Sequence, residues 1–303
     1  MVRESCRHTC SFLGFSFSCS RSFGNNDPAD FQVVSGVLRL ATKYVVDSLR
    51  EKALKHLSVA WPTTLKGWDA REDMARSFEL QAGSESLCLY PSPIVSWTST
   101  VSSESHRTLT HQAVINLARE ANAPSLLPSA FYDLSRYSFS QIFDYGESFE
   151  EGAWQCPLSP VDMQRLSLGK EASRHAITTL IQSLGSHART LNAGAGSPFT
   201  HHHPHSHTHR TCRRDFSELV TLATQHYLFD HQRGCTDPLY VAEELGQPLY
   251  DLSQPLGIER LGSSRRSSEQ AECQACAKTL ETWAKKERER MWKMIPLWFR
   301  LDV

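Results

Sequence analysis

Apolar positions recur at helical spacing along most of the chain. The clearest case is SGVLRLATKYVVDSLREKALKHL, from Ser35 to Leu57. Val33, Val34, Val37, Leu38 and Ala41 fall on one face of a first helix. Val46, Leu49, Ala53, Leu54 and Leu57 fall on one face of a second, with Arg50 and Glu51 on its polar side. Asp47 and Ser48 suit the start of that second helix, because an oxygen there can accept from exposed N–H groups and an acid faces the positive helix end. Trp61-Pro62 ends the unit, since proline disfavours helix in the residue before it.

Further elements follow the same logic. Thr64 to Leu80 reads as partly helical, with Trp68, Met74 and Phe78 as apolar anchors. Tyr90-Pro91-Ser92-Pro93 is a breaker cluster, and the Ser/Thr-rich stretch from Ser96 to Thr110 predicts a flexible insertion. Leu158-Ser159-Pro160 supplies a cap serine and a proline at the first helical position. The helix it opens carries Ile177, Leu180, Ile181 and Leu184 on one face, and Gly185 is read as its stop. A helix from Arg213 to Phe229 uses Phe216, Leu219, Val220, Ala223 and Tyr227. Asp237-Pro238 starts another that ends at Gly246, and Ala271 to Met294 forms the last, with Pro296 turning the apolar end IPLWF. No alternating run is long enough to propose a sheet.

Two of these helical pairs match each other. LRLATKYVVDSLREKALKHL (38–57) aligns with INLAREANAPSLLPSAFYDL (115–134) at a constant offset of 77. Leu40/Leu117, Ala41/Ala118, Ser48/Ser125, Leu49/Leu126, Ala53/Ala130 and Leu57/Leu134 are identical. The pattern predicts one helix–corner–helix unit used twice, with the first pair packing on the second.

Composition narrows the function classes. The 303 residues are 40% hydrophobic and 21% charged, with a formal net charge of −1. Such a balance creates no field that would gather nucleic acid or an anionic membrane, and neither is expected as a partner. No apolar run approaches the roughly 18–20 residues that span a bilayer. Serines interrupt the Phe-rich N-terminus, so no signal peptide is read there. Nine cysteines at irregular spacing then point to an intracellular chain, cytoplasmic or nuclear, with mostly reduced thiols.

VLRLATKYVVDSLREKALKHL resembles the C-terminal helical pair of the BTB/POZ domain, where an apolar-rich "LLRLADKY…LR..AL..L" pattern is common. AVINLAREANAPSLLPSAFYDLSRY, CRRDFSELVTLATQHYLF and AKTLETWAKKERERMWKMIPLWFRL look like the helical extension of fungal BTB domain-containing proteins. The resemblance implies an all-α chain: a BTB-like C-terminal helical pair followed by an irregular helical array, with a disordered N-terminus and insertions. It divides the chain into a disordered 1–30, a BTB-like remnant at 31–62 and a helical extension at 63–184 with a flexible insertion near 92–111. A low-complexity His-rich linker at 185–210 and a C-terminal helical region at 211–303, flexible over 247–269, complete it. The strands of the BTB core have no counterpart in residues 1–30, so the resemblance implies a truncated member. Homodimerisation and cullin-type ligase binding, which that core mediates in related proteins, are therefore not carried over.

The chain shows no G-x-S-x-G, Walker loop, H-E-x-x-H or G-x-G-x-x-G, and the paired acids Glu150-Glu151 and Glu243-Glu244 are read as exposed. No catalytic or cofactor-binding residue is assigned. The KKERERMWK run reads as a solvated helix face. HHHPHSHTHR holds six histidines in ten residues but offers no fixed geometry for a specific metal. Cys212, Cys235, Cys273 and Cys276 could supply four thiolates to a structural zinc, with Cys273-x-x-Cys276 giving two from one turn; packing as small apolar residues is the alternative. The reading is a non-enzymatic adaptor with protein partners. A zinc-stabilised helical regulator, or a gene-model fragment without independent function, remain the alternatives. If the four cysteines bind zinc, native mass spectrometry will find one equivalent of zinc on the chain, lost on chelation.

Overall fold

The computed structural model describes residues 31–82, 104–143, 157–193, 219–230, 234–247 and 274–301, and among these every regular element is helical. The helices are α1 (Phe31–Lys43), α2 (Asp47–Ala60), α3 (Leu65–Ala82), α4 (Glu104–Glu120), α5 (Leu127–Ser135), α6 (Phe139–Phe143), α7 (Pro160–Ala193), α8 (Pro238–Gly246) and α9 (Gln274–Trp298). A 3-10 turn, Pro124–Leu126, precedes α5, and a helical stretch at 219–225 runs into a π-helical turn, His226–Asp230. No described helix is long and apolar enough to cross a membrane. The described residues divide into two compact units, one up to Leu127 and the other from Pro128 onward.

In the first unit α1 packs on α2, α2 on α3, and α1 also reaches α4. Val34, Leu38 and Ala41 of α1, Ala53, Leu57 and Ala60 of α2, and Ile115, Leu117 and Ala118 of α4 are buried, as their spacing predicts. Phe31 meets Trp61 edge-on at 5.7 Å between ring centres. Thr64 caps α3, its Oγ1 accepting from Gly67 N at 3.1 Å. Trp68 is buried, but Met74 is 51% exposed, because α3 turns only the Trp68–Glu72–Ala75 face inward.

The two matching corners have one backbone geometry. Val45 and Asn122 both take positive φ, 55° and 48°. Around them Val46 N donates to Ala41 O at 2.9 Å, and Ala123 N to Ala118 O at 2.8 Å. Tyr44 N donates to Leu40 O, and Ala121 N to Leu117 O, at the same offset of 77. This is the left-handed cap that pairs the last helix carbonyls. The next helical element starts at Asp47 in one copy and at the register-equivalent Pro124 in the other. At the offset positions Ala41 and Ala118, Ala53 and Ala130, and Leu57 and Leu134 are all buried.

The second unit is built on α7, α8 and α9, each packed on the other two. Close approach depends on two glycines. A Cβ at Gly169 would lie 1.9 Å from Phe299 Cε1, so the Phe299 ring sits where a side chain of α7 would be. A Cβ at Gly246 would lie 2.3 Å from Ala284 Cβ, which sets the crossing of α8 and α9. Phe299 also stacks at a tilt on Phe131 of α5, 5.4 Å between centres.

Several boundaries differ from the sequence reading. Helix α4 begins at Glu104, inside the segment read as insertion through 111. Helix α7 runs through Gly185 to Ala193, inside the segment read as a His-rich linker, because Gly185 meets only Val220 side-chain atoms and stays in the helix interior. Pro296 lies within α9, which runs on to Trp298 and is closed by a third positive-φ residue, Arg300, with Leu301 N donating to Pro296 O at 2.8 Å. Proline forfeits its own N–H bond and crowds the carbonyl four residues back, and here only two further helical residues follow it. The expected disorder of 1–30, the linker before Glu104, the HHHPHSHTHR tract and the flexible segment at 248–269 concern positions outside the described residues.

Val45 is 77% exposed, so its strained backbone is relieved by no packing of its side chain. Val45→Asn, which gives the first corner the residue of the second, is expected to stabilise by about 1 kcal/mol. Thermal unfolding should show a melting temperature raised by a few degrees, and Asn122→Val should lower it.

Candidate functional site

The sequence singles out cysteines; the structure gathers carboxylates and tyrosines. Asp237 precedes α8 and accepts from Tyr240 N at 3.1 Å, the cap that Asp237-Pro238 predicts. The same oxygen accepts from Tyr132 Oη of α5 at 2.6 Å. Its other oxygen accepts from Arg136 Nη1 at 3.1 Å, while Arg136 Nη2 bonds Asp133. Leu239 N completes the cluster by donating to Tyr132 Oη at 3.2 Å. The N-terminal turn of α8 is thus capped by its own aspartate and by a phenol from α5.

The cluster is deeply buried. The side chains of Asp133 and Asp237 have no solvent exposure, and Arg136 almost none. One guanidinium between two carboxylates offsets much of the cost of burying them, through bonds shared to both. Burial, then repulsion from Asp237, pushes the Tyr132 phenol well above its ordinary range, so it stays a donor.

A second cluster lies one helix length along. Glu244 accepts from Tyr227 Oη at 2.8 Å on one oxygen and from the Tyr240 hydroxyl on the other. Tyr227 belongs to the π-helical turn, and its phenol too is pushed up, by burial and then by Glu244. The sequence reading placed Glu243-Glu244 in an exposed context. Glu244 is instead only 3% exposed, because α8 is covered on most of its surface, while Glu243 pairs with Arg288 of α9 at 3.2 Å. The mixed-charge α9 face is thus partly engaged; Arg290 also pairs with Glu287 at 2.8 Å.

Lys170 of α7 makes a third buried contact. Its Nζ donates to Ser135 O at 2.8 Å and to Tyr137 O, closing the C-terminal end of α5, and lies 5.0 Å from the centre of the Phe139 ring. Burial, then the neighbouring Arg174 charge, lowers its pKa to about 8.

Of the four candidate zinc ligands, Cys212, Cys273 and the side chain of Cys276 lie outside the described residues. Cys276 sits in the first turn of α9, and Cys235 is half-buried two positions before Asp237. The described residues therefore neither gather nor separate the set. Chemically, the clusters hold helices: the Tyr132, Asp133 and Asp237 side chains turn to protein groups and not to solvent. Sequence reasoning found the Asp237 cap but missed Tyr132, Arg136, Tyr227, Glu244 and Lys170. Their partners lie far away in sequence, 105 residues for Tyr132 and Asp237, and no local pattern marks such a pairing. A scan of protein-family models finds no match, and neither curated proteins nor solved structures yield one.

The pKa shifts set a pH profile. Between about pH 8 and 10.5 the unfolded state holds the Lys170 proton that the folded state has lost, so stability rises with pH across that window. Tyr132 and Tyr227 act in the opposite sense above pH 10, where the unfolded phenols ionise first. Urea midpoints of the wild type minus those of Lys170→Met are expected to rise from pH 7.5 to 9.5. A flat difference counts against the assignment.

Proposed function

We propose that the chain is a non-catalytic protein–protein interaction protein of the adaptor type, resembling BTB domain-containing proteins through their helical extension. The observation that supports this reading is the division of labour among its side chains. The buried ionisable groups bond one another across helices. Large apolar side chains, by contrast, stand exposed at helix ends and turns: Tyr44, Val45, Phe229 and Leu297. Isolated exposed residues are ordinary, but a corner that pairs an aromatic with a strained aliphatic side chain is a natural contact point. Partner binding by such a protein buries apolar helix surface and needs no covalent step. The resemblance in VLRLATKYVVDSLREKALKHL agrees with this role.

Affinity purification of the full chain, compared with Phe229→Ser/Leu297→Ser, tests it. The expected result is a defined set of proteins recovered with the wild type and depleted with the variant, at unchanged helical circular dichroism. An identical set from both folded proteins, matching an unrelated bait, sinks the reading.

A further inference from the structure

The second helix corner supplies a template for what binds the first. In the first unit, α1 and α2 dock on the end of α4 through two arginines. Arg39 Nε donates to Glu120 Oε2 at 2.6 Å. Arg50 Nη2 donates to Ala121 O at 3.2 Å and to Asn122 O at 3.0 Å. The last carbonyls of a helix converge with partial negative charge, and a guanidinium satisfies two of them at once.

The first corner repeats that receptor with its side-chain charge reversed. At the offset of 77, Glu120 corresponds to Lys43, Ala121 to Tyr44 and Asn122 to Val45. The backbone has the same left-handed turn and the same two cap bonds. Among the described residues nothing donates to the carbonyls of Tyr44 and Val45, whose side chains are 61% and 77% exposed. The Lys43 ammonium is exposed as well, 5.6 Å from the centre of the Tyr44 ring. Ala121, by comparison, is buried.

We propose that Lys43-Tyr44-Val45 is a docking point for a helical hairpin of another protein. That hairpin carries an acidic side chain where α1 carries Arg39 and an arginine where α2 carries Arg50, eleven positions later. The acid pairs with Lys43, the guanidinium closes the carbonyls of Tyr44 and Val45, and an apolar face covers the Tyr44 ring. A second copy of this chain does not fit, because its own Arg39 would face Lys43. The proposal rests on the interaction reading above and names the chemistry of the partner.

The test uses the full chain and two synthetic probes. Each peptide copies residues 31–62; one is unmodified and the other carries Arg39→Glu. Fluorescence anisotropy measures binding to the wild-type chain and to Lys43→Glu. The wild type is expected to bind the Arg39→Glu peptide at least tenfold more tightly than the unmodified one, and Lys43→Glu is expected to invert that order. With a benzophenone amino acid in place of Tyr44, the full chain should crosslink to the Arg39→Glu peptide. Equal binding of the two peptides, no binding with no crosslink, or a preference that Lys43→Glu leaves unchanged overturns the proposal. Failure here with specific partners still recovered by affinity purification would reject this docking point alone.

Discussion

Every helix leaves unpaired N–H groups at one end and unpaired carbonyls at the other, and burying them unpaired is costly. In a chain whose described elements are all helical this constraint acts at every junction. Here the helix ends are closed partly by local turns and partly by side chains from other helices. Ser159 Oγ accepts from Asp162 N at 3.1 Å at the start of α7, a local solution. Arg50 on the end of α4, Lys170 on the end of α5 and Tyr132 on the start of α8 are distant ones. The distant caps fix helix order as well as satisfying backbone groups, since each holds one helix end against a second helix.

This explains why the second unit buries so many ionisable groups. A carboxylate at a helix start serves the helix dipole and, when buried, demands further donors. Asp237, at the start of α8, meets that demand with a phenol and a guanidinium; Glu244, in the last turn of α8 where the dipole gives no help, is held by two phenols. Removing Arg136 would leave two buried carboxylates without their counter-charge, a cost of about 3–5 kcal/mol. Such clusters favour a single packing arrangement over the many that a purely apolar helical array would allow.

The repeated corner is the clearest bridge between sequence and structure. Six identities at one offset predict it, and matching φ values, cap bonds and helix starts realise it. Yet the two copies are not interchangeable. Glu120 is paired with Arg39 while Lys43 is turned to solvent, so one corner is used inside the unit and the other is left outward.

The sequence by itself determined the helical class, the faces of α1, α2 and α7, the corner repeat, and the starts of α7 and α8. These follow from 3.6-residue periodicity and from cap residues that act within one turn. It misjudged where α4 begins and where α7 and α9 end, because Ser, Thr, Gly and Pro are only locally unfavourable and neighbouring packing outweighs them. Only the tertiary structure decided that Glu244 is buried, that Tyr132 meets Asp237, and that Lys170 closes α5. Those pairings join residues tens to a hundred positions apart. Their energy comes from mutual desolvation, which no single stretch of sequence records.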